Sequence, residues 1–306
     1  MRRAVYAAAA GACAAGAARL AYSAMNRRPP GGPKTWSRTN HRGEPVTLLE
    51  GPAVAAGAIV GVLAQASLAS AAGWPGSPGW RRAAGMALGG AGAAAFGAYD
   101  DLAGSGDRRG FRGHLGALRH GEVTTGAVKL GGIGATGIIS AALAGGSPAD
   151  VILNAGLVAG GANLLNLFDL RPGRAIKVAA VSGALLGAAG QGSVAAPLAA
   201  GLALLPEDLG ERAMLGDAGA NALGAMLGAS AAGLPRTGRI ALLAGIAALT
   251  AASEKVSFTK VIARTPALNW LDMLGRRLAP QPLETEPPAP RQPPVTTLAQ
   301  RPEPAG

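Results

Sequence analysis

Nine stretches of this 306-residue chain run for 12 to 23 residues with almost no charge, and they are built mainly of Ala and Gly. A bilayer core is crossed by about 20 apolar helical residues, so stretches of this kind constrain the fold more than any motif does. They fall at Ala4–Met25, Gly51–Gly73, Ala83–Ala98, Thr124–Gly145, Val151–Leu167, Ala175–Gly190, Val194–Leu205, Met214–Leu234 and Ile240–Ala252. The pattern predicts an all-α fold, a polytopic membrane helix bundle of about 9–10 transmembrane helices. Mean hydropathy is +0.27, and only 15% of residues are charged. With 48 glycines the helices present small faces, which let backbones approach closely without a water-driven hydrophobic effect.

Charge placement gives the expected orientation. If the polar segment Asn26–Glu50 is cytoplasmic, alternation puts 100–123, 168–174, 206–213 and 253–266 on the same side. Those segments hold Arg108, Arg109, Arg112, Arg119, Arg171, Arg174, Arg212, Lys255, Lys260 and Arg264, as the positive-inside rule requires. Arg81, Arg82, Arg236 and Arg239 fall on the other side and weaken the pattern. The net charge of +11 lies in short loops beside apolar runs, which points to anionic lipid headgroups and not to nucleic acid. The basic start Met1-Arg2-Arg3 with a small apolar run also fits a signal peptide, but no polar domain follows, so a retained first helix is expected. Cys13 stands alone and forms no internal disulfide. Three regions are expected: a transmembrane domain over 1–266, an amphipathic segment over 267–279 with Leu268, Leu271 and Leu274 on one side, and a disordered Pro-rich tail over 280–306.

The polar residues that interrupt this pattern are few. The third apolar run ends in Tyr99-Asp100-Asp101, two adjacent acids that repel unless a hard cation such as Mg²⁺ lies between them and a phosphate. A solvated loop start is the competing reading. Asn163, Asn166 and Asp169 follow at intervals of three, which places them near one side of a helix end suited to a nucleotide or metal. Interhelical hydrogen bonding would also explain the amides. Asp217 is flanked by glycines in Leu215-Gly216-Asp217-Ala218-Gly219, where a bulky anion and its metal can come close. A helix cap would explain the acid as well. All three acidic positions are expected on the cytoplasmic face.

Four segments in this order resemble the polyprenyl-phosphate N-acetylhexosamine-1-phosphate transferases, which include the phospho-N-acetylmuramoyl-pentapeptide transferases. They are Arg38-Thr39-Asn40-His41-Arg42-Gly43-Glu44-Pro45-Val46 with Glu50-Gly51, then Tyr99-Asp100-Asp101-Leu102 with Lys129 in the next helix, then Asn163-x-x-Asn166-x-x-Asp169, and Leu215-Gly216-Asp217-Ala218-Gly219-Ala220. The resemblance implies attack of polyprenyl phosphate on the β-phosphate of a UDP-sugar, releasing UMP, at the cytoplasmic face of a multi-pass cell-membrane protein, in cell-envelope glycan synthesis. It implies Mg²⁺ held by Asp217 and one of the paired acids, with Asp100 and Asp217 as the metal ligands assigned here. Asp100, Asp101 and Asp217 form the implied catalytic set, the remaining acid orienting or deprotonating the lipid phosphate. Lys129, Asn163, Asn166, Asp169 and His41 are implied to bind substrate, and a homodimer is a possible assembly. Two departures stand out: Leu170-Arg171 follows Asp169 where the family usually has Gly and a second Asp, and no histidine lies in 253–266 where the family has a cluster. They keep open a degenerate relative acting as a membrane scaffold or lipid-intermediate binding protein. A transporter is the third reading, but neither acids at mid-membrane nor an internal repeat is present to support it.

Overall fold

Small residues determine how this chain packs. The computed structural model describes residues 2–73, 79–103 and 124–277. Eleven α-helices occur among them: α1 Arg2–Arg27, α2 Glu50–Ala71, α3 Trp80–Ala103, α4 Thr125–Ala144, α5 Pro148–Phe168, α6 Arg174–Ala188, α7 Ala195–Leu209, α8 Gly216–Ala231, α9 Arg236–Ser253, α10 Phe258–Arg264 and α11 Pro266–Met273. The described residues are therefore all-α apart from one hairpin. Each of the nine apolar stretches becomes a helix, but only four helices, α1, α2, α4 and α5, are long and apolar enough to cross a membrane. A fifth is reached if α9 and α10, bent by 94° at the break between them, count as one. The count falls below nine because α6, α7 and α8 have 15, 15 and 16 residues, and α3 carries Arg81 and Arg82 at one end and Asp100 and Asp101 at the other. The tail over 280–306 and the loop holding Arg108, Arg109, Arg112, Arg119, His114 and His120 lie outside the described residues.

The axis of the bundle is α8. Every residue of it except Asp217 and Ala229 is buried. Its neighbours are α3 and α5, with α2 beside them. Where α8 crosses α5, a Cβ added at Gly228 would lie 2.6 Å from the Leu157 carbonyl carbon. Where α3 crosses it, a Cβ at Gly97 would lie 2.8 Å from Ala218 Cα. These helices touch backbone to backbone, so dispersion between closely approaching main chains stands in for large side chains. The same logic seats α1 on α2, with Ala10, Ala14 and Ala18 buried against Gly57 and Gly61.

One end of the bundle carries the only strands among the described residues. Strands β1, Ser37–Thr39, and β2, Pro45–Thr47, pair antiparallel with Arg38 opposite Val46. Asn40 closes their turn by accepting from the N–H of Arg42 at 2.8 Å and of Glu44 at 2.9 Å, which is an Asx turn. The hairpin is tied to the segment leading into α8, since Met214 N–H donates to the Thr47 carbonyl at 2.9 Å. A buried cluster of Trp36, Leu48 and Leu49 anchors its base.

At the chain's other extreme, α11 is held by charge. Arg174, at the start of α6, makes a two-pronged pair with Asp272 at 2.8 and 2.9 Å, and Arg276 adds a third contact at 2.8 Å. The helix falls within the stretch read as an amphipathic segment, and Leu268, Trp270 and Leu271 are exposed on it.

Candidate functional site

The end of the bundle that bears the hairpin collects most of the residues singled out from the sequence. Asp100 and Asp101 close α3, Lys129 sits in the second turn of α4, and Asp217 lies in the first turn of α8. The Lys129 ammonium pairs with Asp100 at 2.8 Å and also with Asp217. All three side chains are largely covered, with 14%, 19% and 25% of Lys129, Asp100 and Asp217 exposed. One cation thus holds together two acids from separate helices.

Asp101 points elsewhere. Its carboxylate accepts from the backbone N–H of Asp217 at 3.1 Å and of Ala218 at 3.0 Å. It caps α8 from a neighbouring helix, satisfying N–H groups that have no partner within their own first turn. Gly216 makes this possible: its φ of 61° is in the left-handed region, and it turns the chain sharply from the hairpin-bound segment into α8. The Asp101 carbonyl in turn accepts from the Arg38 guanidinium of β1. The two adjacent acids have therefore been separated into different tasks, Asp100 facing a cation and Asp101 holding a helix start.

Asp169 caps the end of α5 and accepts from the Gly216 N–H. Burial, followed by the charges of Asp208, Asp217 and Asp101, pushes its carboxyl well above the usual range. The stripe of three does not stay together. Asn163 reaches Thr250 on α9 at 3.4 Å, the interhelical bond that was the competing reading for it. Asn166 is partly buried, with no side-chain hydrogen bond among the described residues.

His41 stands on the hairpin turn, 3.8 Å from Glu211. Burial and then the Arg171 charge hold its imidazole below the ordinary value, although Glu211 acts in the opposite sense. A small cavity of about 50 Å³ is lined here by His41, Asp169, Arg171, Asp208 and Glu211. Glu211 is a non-glycine residue with φ 54°, held in that conformation by Asn40 at 2.8 Å and Arg42 at 2.9 Å. Asp208 accepts from the Gly173 N–H at 3.0 Å, so an acid does stand beside the turn after Asp169, supplied by α7. Burial raises the Asp208 carboxyl to about 7, against the opposing effect of that N–H.

Sequence reasoning passed over Asp208, Glu211, Arg38 and Glu50. The signal for the first two was available, three acids within Pro206-Glu207-Asp208-Leu209-Gly210-Glu211 just upstream of the Asp217 motif. Glu50, fully buried with both carboxyl oxygens unpartnered, was quoted only as part of a motif and carried no separate reading.

The donor set can be tested against a divalent cation. Among the described residues no three acid, histidine or cysteine groups are placed to hold a metal by themselves. Mg²⁺ commonly uses one or two carboxylates and completes its shell with water and substrate phosphate. Asp100 and Asp217 are two carboxylates already drawn to one positive charge, so the pair fits that requirement, with Lys129 in the place of the cation. Neither the family models nor the curated proteins compared with this chain give a match.

Proposed function

We propose that the chain is a multi-pass membrane protein of the polyprenyl-phosphate sugar-1-phosphate transferase type, with the Asp217 end of its bundle at the cytoplasmic face. The observation that carries this reading is the meeting of Asp100, Asp101, Lys129 and Asp217 from three separate helices at one end of an apolar bundle. Asp169 lies against the same turn. Asp101 has a structural task as the cap of α8, but the packing of Ala and Gly helices does not require Asp100 and Asp217 beside it, and burying them without a function costs stability.

In this reading the lipid phosphate oxygen forms a new P–O bond to the β-phosphorus of the UDP-sugar. The bond from that phosphorus to the bridging oxygen breaks, and its electron pair leaves on UMP. Asp100 and Asp217 are the residues to hold Mg²⁺, which when bound supplies charge neutralisation for the pyrophosphate. Lys129, released from its acid pair, holds a phosphate oxygen as a point charge. Asp101 keeps the start of α8 in place and so fixes where the Asp217 carboxylate stands. Phosphate is already anionic at neutral pH, so the acids need only position and neutralise, and no strong base is required. In this reading His41, Arg171 and Asp169, which line the small cavity, contact the nucleotide-sugar.

One observation favours a second reading. The Lys129 ammonium already neutralises Asp100 and Asp217, an arrangement suited to a scaffold that binds lipid intermediates without turnover. The two readings separate in one assay: Mg²⁺-dependent UMP release by the purified chain with undecaprenyl phosphate and a panel of UDP-sugars. Release that disappears in Asp217→Asn supports the transferase. A folded protein that binds undecaprenyl phosphate but releases no UMP from any sugar of the panel overturns it in favour of the scaffold.

A further inference from the structure

A second cavity lies at the other end of the bundle. It has a volume of about 640 Å³, within the range of pockets that hold ligands of several hundred daltons. Its walls come from the first residues of α3 and α5 and the last residues of α2, α4 and α8. Arg82 at its rim is 19 residues along α3 from Asp101, which at 1.5 Å per residue is about 28 Å. This cavity is therefore separate from the acid site, and nothing in the proposed transfer reaction uses it.

Its lining mixes apolar and polar groups. Val62, Met86 and Val158 are among the apolar ones, and Arg239, Asn154 and Gln65 among the polar ones, with the exposed Arg82 at its mouth. Arg239 is fixed in place by two of its nitrogens, one donating to Asp150 at 2.9 Å and the other to Asn154 Oδ1 at 2.9 Å. Its third nitrogen, Nε, is buried and has no acceptor. Asn154 spends its carbonyl on Arg239, which leaves the amide N–H groups over. Arg82 forms no ion pair among the described residues, so Asp150 balances one of the two guanidinium groups and a net positive charge remains at the mouth.

Two guanidinium groups, only one of them balanced by a carboxylate, beside a spare amide are donors in excess of acceptors. The apolar part of the lining suits the chain of an amphiphile. From this juxtaposition we propose that the cavity is a binding site for a phosphate-bearing ligand, whose oxyanion takes the amide of Asn154 and the charge of Arg82 and Arg239. Two sources share that chemistry, a phospholipid headgroup with its chains over the apolar part of the lining and a free phosphate.

The test is calorimetric titration of the full-length protein in an uncharged maltoside detergent with three probes: dihexanoyl phosphatidylglycerol, dihexanoyl phosphatidylcholine and inorganic phosphate. The expected result is saturable binding of phosphatidylglycerol, competed by inorganic phosphate, with phosphatidylcholine weaker by about tenfold because its headgroup has no net charge. Arg82→Ala, which breaks no ion pair of the described residues, weakens phosphatidylglycerol by about tenfold. Asp217→Asn leaves binding unchanged. Phosphate binding alone, without a gain from the acyl chains, assigns the site to a free oxyanion. Equal binding of the two lipids, no saturable binding of any probe, or loss of binding in Asp217→Asn overturns the proposal.

Discussion

The division of labour between Asp100 and Asp101 can be tested by replacing each with Asn. Asp101 accepts two backbone N–H bonds, at 3.1 and 3.0 Å, from the first turn of the most buried helix in the chain. Asn keeps one acceptor oxygen and turns an amino group toward the other N–H, so one bond is lost and a buried donor is left without an acceptor. That costs about 1–3 kcal/mol, and loss of a negative charge at a helix N-terminus adds about 0.3–1 kcal/mol. At about 2–4 °C per kcal/mol for a chain of this size, Asp101→Asn should lower the thermal midpoint by about 3–16 °C. Asp100 makes an ion pair with Lys129 in a setting 19% exposed, and Lys129 retains Asp217 when that pair is removed. Asp100→Asn should therefore cost at most about 1 kcal/mol and move the midpoint by no more than about 4 °C, less than Asp101→Asn does. The assay is thermal unfolding of both variants and the parent protein in one detergent, followed by circular dichroism. An Asp101→Asn protein that melts with the parent, or an Asp100→Asn protein that melts lowest, would refute the assignment of Asp101 as the cap of α8.

Other perturbations test other contacts. Asp272→Asn leaves Arg174 buried beside a neutral group, and breaking a buried pair on one side costs about 3–5 kcal/mol, so the variant should lose α11 packing first and show faster proteolysis between α9 and α11. Asp208 gives a pH dependence whose sign follows from its raised carboxyl. A folded-state value of about 7 against an ordinary value near 4 means that the native state binds the proton more tightly, so stability is fullest below about pH 4 and declines as pH rises to about 7. Thermal midpoints of the parent protein should fall across that interval and those of Asp208→Asn should fall less; a slope unchanged by the substitution would remove Asp208 as its source. Gly97→Ala adds a Cβ 2.8 Å from Ala218 Cα and 2.6 Å from the Asp217 carbonyl carbon, forcing α3 away from α8 at about 1–3 kcal/mol, and UMP release should drop with it in the transferase reading.

The sequence is informative about this protein where the signal is local and uneven about it where the signal is spatial. Apolar runs bounded by glycine and charge located all nine long helices, because helix existence follows from an uninterrupted hydrophobic stretch. Run length alone did not separate α1 from α8, since Ala and Gly fill a spanning helix and a buried central one equally well. Asp100, Asp217 and Lys129 meet at one end of the bundle, but pairing of Lys129 with both acids could not be read from positions 29 and 88 residues apart. Asp208 and Glu211 were missed because their meaning depends on the hairpin turn folding back over them through Asn40 and Arg42. The spacing of Asn163, Asn166 and Asp169 put them near one side of α5, but one helix end meets different neighbours along its length, and Asn163 turned to α9.

The burial of α8 has a consequence for how the protein is made. It holds few of the Leu, Ile, Phe and Val residues that favour transfer from a translocon into lipid, and Asp217 opposes it. Its partners α2, α3 and α5 all precede it in the chain, so they leave the ribosome first and form the cleft that receives it. The helix that carries Asp217 then arrives late in synthesis, and the acid site is completed only in chains whose earlier helices have already assembled.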